Sequence, residues 1–396
     1  MTREAVAWPV SILAVALATG TCLGQKRSAI RRDGACWLQT VEGDLLFAGA
    51  KRFRIVADGG VSLRGGAAGT VVYSVTTRVR ARSAVQAGAA LAAFGVKSKV
   101  QGDWVLLTFT VPNLEGAADV TATVPREALL AWIETRGGNT QASGLGGDVR
   151  IDAAGGRIDL DEIHGRSEIR TAGGDVSIGR VDGAVRCFTG AGKIQVNHVG
   201  GESRFETAGG DIFVEEAVGS LYASTGGGNI HVNRCGSTVE ARTAAGLIEV
   251  QRAGGAVTAD TSGGAIEINA SHGASCDSAA GEIRLRQVSG SLHASATIGS
   301  IFAELLGGRL LQDSVLRTSK GDITVSIPSN LALTVVARNE SSGQINRIVS
   351  DFPEIKTQLA DPGRRRPFLA EGSLNGGGPV LRIAAAGGTI YLRRQR

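Results

Sequence analysis

The side chains able to do chemistry are spread thinly and at regular intervals along this chain. Asp175, Asp211 and Asp322 share the fifth position of a repeat that is 18 residues long but for one unit of 17 and one of 22. A column of carboxylates could hold a cation or work as acid and base. In neighbouring units, however, Arg157, Lys193, Asn229 and Leu247 fill that position. The corner reads A-G-G-D-I, whereas calcium-binding nonapeptide rolls need G-G-x-G-x-D in successive turns. Asp161 and Glu215 share another position, three units apart, with Gly179 and Asn197 between them. The five histidines, His164, His198, His231, His272 and His293, fall in several phases and never pair at metal spacing. No G-x-S-x-G and no H-E-x-x-H occurs. The expectation is no catalytic residue, no cofactor and no metal, with the Asp column acting as local hydrogen-bond acceptors at turns.

Two further residue types have chemical options. Thr stands at the first position of six consecutive units, Thr171 to Thr261. A flat Thr ladder can order water at ice, but such surfaces use paired T-x-T, which is absent. The expected role is β structure, with hydroxyls bonded to one another or to backbone at a corner. Cys187, Cys235 and Cys276 lie in coils too far apart along the axis for a disulfide, so they read as buried free thiols. Cys36 lies outside the array, and no pair has C-x-x-C spacing.

The element that must position these residues is the repeat itself. Units begin at Thr135, Ala153, Thr171, Thr189, Thr207, Thr225, Thr243, Thr261, Ser278, Ala296 and Thr318. Their fourth residue is always glycine: Gly138, Gly156, Gly174, Gly192, Gly210, Gly228, Gly246, Gly264, Gly281, Gly299 and Gly321. Positions 6 and 8, then 15 and 17, are apolar in alternation, which is the signature of two half-buried strands. Glycine at positions 4 and 13 marks two corners, where backbone approaches closely. The fold class is therefore all-β, a parallel β-solenoid of about eleven 18-residue coils, stacked about 4.8 Å apart. A small β-rich N-terminal unit with one inserted helix precedes it.

The remaining boundaries follow from composition. Residues 1–24 read as a signal peptide or N-terminal anchor: Arg3, then an apolar run from Ala5 to about Ala18. Cleavage is expected after Gly24 or near Gly20, and Cys22 is a candidate lipidation site despite its poor lipobox, Thr-Gly-Thr. Lys26, Arg27, Arg31 and Arg32 follow the run and oppose translocation, so an uncleaved anchor is the alternative. Residues 37–134 form the β-rich unit, with strands near 43–48, 52–57, 69–78, 104–111 and 118–124 and a helix within 82–95. The solenoid occupies 135–342. Residues 343–370, with Pro353, Pro362, Pro367 and Arg364 to Arg366, read as a loop excursion, and 371–396 as closing strands that seal the C-terminal end. The net charge of +5 is mild and outward positions carry mixed signs, so no nucleic-acid groove is expected.

The strings TAGGDI, VSIPSNLALTVVARNESSGQI and GSLNGGGPVLRIAAAGGTIYLRR resemble a bacterial family of Gly-rich β-strand repeat proteins. That family is described only as adhesin-like domains of unknown function, related to the head domains of auto-transporter adhesins. The resemblance covers residues 40–396. It implies an exported, envelope-associated solenoid without catalytic residues. The expected role is a structural or interaction protein in the periplasm, at the outer surface or outside the cell. Its partner would be an envelope protein or polysaccharide, with the membrane touched only through an uncleaved or lipidated N-terminus. The alternatives are a self-assembling envelope scaffold and a polysaccharide-active β-helix enzyme. Nearly every coil is minimal in length, leaving no loops to wall a cleft, which argues against the enzyme. The oligomeric state is left open.

Overall fold

The computed structural model describes residues 23–47, 50–67, 69–110, 116–307, 311–340, 348–358 and 368–395. One coil illustrates all of them. Ile212–Ala217 forms a strand, the chain turns at Val218, Gly219 and Ser220, and Leu221–Thr225 returns as a second strand. Ile212, Val214, Ala217, Leu221, Ala223 and Thr225 point inward and are buried, while Phe213, Glu215 and Tyr222 point out. Period-2 alternation thus yields one apolar row per strand. Two consecutive outward residues, Glu215 and Glu216, interrupt it and bend the strand, which brings Ala217 back to the core. In two coils the residue at that bend is left-handed: Glu162 has φ 53° and Gln287 φ 48°.

Each strand pairs in parallel with its equivalent one repeat earlier and one repeat later. A front sheet runs from Leu130–Thr135 through Leu221–Thr225 to Ser314–Lys320. A back sheet runs from Thr140–Leu145 through Ile212–Ala217 to Ile323–Ile327. Together they make a parallel β-solenoid of about eleven turns, with a single continuous apolar core between the sheets.

The corner glycines form a column. A Cβ on Gly228 would lie 2.1 Å from the carbonyl oxygen of Gly210, and one on Gly246 would lie 1.9 Å from that of Gly228. Such a contact is backbone on backbone, so no side chain can yield. Close stacking excludes any other residue along most of this column, whose φ values are not left-handed. Gly138 and Gly156, with φ 80° and 83°, add a conformational reason.

Both ends of the stack depart from chain order. Arg52–Ala57 and Val61–Gly66 form a coil against Leu130–Thr135 and Thr140–Leu145. Outside that coil, in parallel, lie Trp104–Thr110 and Gly116–Pro125, which come later in the chain. The C-terminal end mirrors this. Val380–Ala385 and Ile390–Arg394 sit next to Ser314–Lys320 and Ile323–Ile327, and Leu333–Asn339 and Ile348–Ser350 are stacked outside them. The last coil of the chain is therefore next to last in the stack. Gly388, between Ala385 and Ile390, continues the corner-glycine column, and a Cβ there would lie 2.0 Å from the Gly321 oxygen.

Antiparallel strands then cover both parallel edges at the N-terminal end and one at the C-terminal end. Thr70–Arg80 covers Gly116–Pro125, Cys36–Leu46 covers Thr70–Arg80, and Leu23–Arg27 and Arg31–Asp33 pair with Cys36–Leu46. Gly95–Gln101 covers Trp104–Thr110. At the other end Phe368–Leu374 covers Leu333–Asn339, and Lys356–Gln358 pairs with it. Within the 343–370 region, then, 348–350, 356–358 and the start of the strand at 368 are part of the sheet rather than loop. The single described helix, Ala84–Ala92, is capped by Ser83, whose Oγ accepts from the Gln86 N–H. It packs Ala87 and Leu91 on Val79 beneath the N-terminal sheet.

Candidate interaction surface

Residues suited to recognition stand on the outside of the stack in rows whose members are one strand spacing apart. One on the front sheet reads Arg54, Trp132, Arg150, Glu168, Arg186, Arg204, Tyr222, Glu240, one residue per coil. Arg54 and Arg150 lie over the Trp132 ring at 4.2 and 4.8 Å, and Arg204 lies over Tyr222 at 3.9 Å. The Trp132 indole donates to Asp152 at 2.9 Å, and Trp104 stands 6.3 Å from it. An open depression of about 610 Å³ follows this row, lined by Arg186, Glu202, Arg204, Ser220, Tyr222 and Glu240 among others. A second depression of about 470 Å³ adjoins it at Arg186 and includes Asp148, Arg150, Arg166 and Glu168. Among the described residues Arg166 and Arg186 have no ion-pair partner. The groove therefore offers two guanidinium groups without an ion pair, framed by aromatic rings and by carboxylates, of which Glu168 and Glu240 are held by arginines.

The back sheet carries a smaller depression of about 350 Å³, lined by Arg284, Arg286, Phe302 and Glu304 among others, and its histidines are engaged with neighbouring coils. His164 Nδ1 lies 2.5 Å from Asp182, which also receives Arg180 at 2.9 Å. His198 pairs with Glu216 at 3.0 Å, Arg234 reaches the same carboxylate, and His231 pairs with Glu249. These contacts hold the Asp182 carboxyl below its ordinary range, chiefly through the His164 hydrogen bond, and the Glu216 carboxyl likewise through His198. His272 bonds the Ser289 hydroxyl at 2.7 Å. Apart from Arg180 with Asp182 in one coil, each pair spans adjacent coils and acts as an inter-coil strut. Asp161 uses its carboxylate to accept the Arg180 and Glu162 N–H groups, and Glu215 accepts from Asn233. No three His, Cys, Asp or Glu side chains converge as a metal site among the described residues.

The turn columns have equally local roles. Asp175 accepts the Lys193 N–H at 3.0 Å, Asp211 the Asn229 N–H at 2.7 Å and Asp322 the Thr389 N–H at 2.7 Å. The Thr column faces the core, not the solvent. Thr225 Oγ1 donates to the Gly210 carbonyl at 2.8 Å and accepts the Gly228 N–H at 3.1 Å, so one hydroxyl ties two corners together. Thr189, Thr207, Thr243 and Thr261 repeat the arrangement. Cys187, Cys235 and Cys276 are buried free thiols, and burial pushes the Cys187 and Cys276 thiols far up. Cys22 lies outside the described residues. The Arg and aromatic row escaped sequence reasoning because its members are 18 residues apart, or 78 for Arg54 and Trp132, and differ in type. Only the register of the stack brings them into line.

Residues 214–358 match the model of a family described as Toastrack DUF4097. No curated protein matches the chain. Among solved structures, a protein from Clostridium sporogenes ATCC 15579, provisionally described as a cell adhesion protein, aligns with 89% of this chain and 99% of its own. The identity is 8% and the TM-score 0.18. One from Bacteroides fragilis NCTC 9343, provisionally described as an adhesin, aligns with 72% of this chain and 95% of its own, at 13% identity and a TM-score of 0.28.

Proposed function

We propose that this protein is a non-catalytic interaction protein of the bacterial envelope, exported and held at or beyond the membrane. Its front sheet would contact an envelope protein or polysaccharide. The observation that carries this reading is the groove along the front sheet. It holds Arg166 and Arg186, which form no ion pair among the described residues, and Tyr222, whereas His164, His198 and His231 on the other side tie neighbouring coils together. Rigid stacked rows suit an extended partner, since stacking fixes both the spacing and the orientation of every contact. A scaffold growing end to end fits less well, because antiparallel strands cover both parallel edges at the N-terminal end and the front-sheet edge at the C-terminal end.

The test is cellular. A C-terminally tagged copy is fractionated, and intact cells are treated with protease. Loss of the tag from intact cells supports a surface role, and a tag released only after the envelope is breached supports an internal envelope role. A cytosolic tag overturns the proposal.

A further inference from the structure

The charge of this chain is not spread over its length. Residues 23–47 and 70–101, which build the N-terminal cap, hold nine lysines and arginines against three acids. The whole chain has 42 against 37. The cap therefore contains more than the entire positive excess, and the rest of the chain is close to neutral.

The fold gathers these cations at one end of the stack. Leu23–Arg27 and Arg31–Asp33 are successive edge strands on Cys36–Leu46, so Lys26, Arg27, Arg31 and Arg32 lie on one exposed hairpin. Arg32 stands 5.9 Å from the Trp37 ring, and the Trp37 indole donates to the Ala81 carbonyl at 3.0 Å. That contact brings the hairpin next to Arg80 and Arg82, which flank Ala81. Lys26, Arg27, Arg31, Arg80 and Arg82 form no ion pair among the described residues. Arg78, by contrast, is held by Asp119 at 3.3 Å. The acids on the same strands are Asp33, Glu42 and Asp44. Four apolar side chains of the cap are exposed, Ile30, Leu46, Val72 and Val85, and of these Ile30 belongs to the basic hairpin and Val85, 85% exposed, to the helix that Ile30 touches. Ile30 lies against the helix, 3.6 Å from where a methyl on Gly88 would sit.

We propose that this N-terminal cap docks on an anionic phospholipid surface. Its cations would lie at the headgroups, Ile30 and Val85 at the interface, and the stack would project away. Two features select lipid over other polyanions. The apolar run from Ala5 to about Ala18 joins the chain at this same end, and stable membrane attachment takes an apolar segment together with a basic patch. The protruding apolar pair would gain from an interface and gains nothing from a soluble polyanion.

The experiment measures partition of the full chain onto vesicles of phosphatidylcholine alone, and onto vesicles in which a third of the lipid is phosphatidylglycerol. The apolar run contributes to both, so the ratio isolates the cap. The anionic vesicles are expected to bind more tightly, with a preference that shrinks as salt is raised. Replacing Arg27→Gln, Arg31→Gln, Arg80→Gln and Arg82→Gln should lower that preference by about fivefold for each charge removed. Arg252→Gln with Arg317→Gln, far along the stack, should leave it unchanged. All are exposed, and an unaltered circular dichroism spectrum and melting temperature confirm folding. Equal binding to both vesicle types overturns the proposal. So does an equal loss in the distant variants, or binding of a soluble polyanion at the cap without binding of vesicles.

Discussion

The hydroxyl of Thr225 offers the sharpest test of how the coils are joined. Thr225→Val keeps the shape and β preference of the side chain and removes only the group that bridges Gly210 and Gly228. Two backbone groups lose their partner. The Gly228 N–H is buried, and leaving a buried donor unsatisfied costs about 1–3 kcal/mol. The Gly210 carbonyl lies at a half-exposed corner where water can reach it, so its loss is at the low end, about 1 kcal/mol. Valine gains a little from its extra methyl, which leaves a net destabilisation of about 2–3 kcal/mol. Thr225→Ser keeps both bonds and loses one methyl, about 0.8 kcal/mol. The chain already contains that variant: Ser278 donates to Gly264 and accepts from Gly281 at the same position. Urea denaturation followed by circular dichroism measures both, with the slope of the transition checked for constancy. If Val costs no more than Ser, the hydroxyl is not a bridge and the coupling of coils through this corner is refuted.

Other outcomes follow from the same geometry. Gly246→Ala drives a methyl onto the Gly228 carbonyl and should cost about 3 kcal/mol or more. Gly227→Ala, with nothing within 4 Å, should be near neutral; thermal melting separates the two. Cys187 and Cys276, their thiols held protonated by burial, should resist a thiol reagent at pH 8 in the native protein and react once it is unfolded in urea. Asp182 and Glu216 have depressed folded-state pKa values, so their contribution is present above the ordinary carboxylate range. It is lost as pH falls through the folded values, which lie below the ordinary carboxylate range. Asp182→Asn with Glu216→Gln should flatten the acid limb of a pH–stability curve. The effect should be small and reduced by salt, because both groups are exposed.

Much of this architecture is legible in the sequence, and the losses have a common cause. Alternation states which face a residue occupies, and the glycine period states where the corners fall; both are local properties. Neither states which strand lies alongside. Thus 52–57 and 104–110 are visible as strands, yet nothing local indicates that they stack together with 130–135. The first coil also hides its motif: Ala57 to Val61 reads A-D-G-G-V, one residue short of the period, because Val61 pairs with Thr140 across a tighter corner. The short strands 23–27, 31–33, 61–66 and 95–101 were silent because their partners, not their composition, make them strands. The candidate surface was the least legible part. Its chemistry depends on which residues become neighbours once the register is set.

The out-of-order ends give the molecule an unequal response to tension. A pull on the N-terminus acts on Leu23–Arg27, an edge strand held by one antiparallel partner, which can peel bond by bond. A pull on the C-terminus acts on Ile390–Arg394, which is clasped between Ile323–Ile327 and Ile348–Ser350 and must shear two ladders at once. A rod loaded between its two termini should therefore yield first at the N-terminal cap, giving up a short length of chain. The coiled body should stay wound, a fuse in front of a stiff spring.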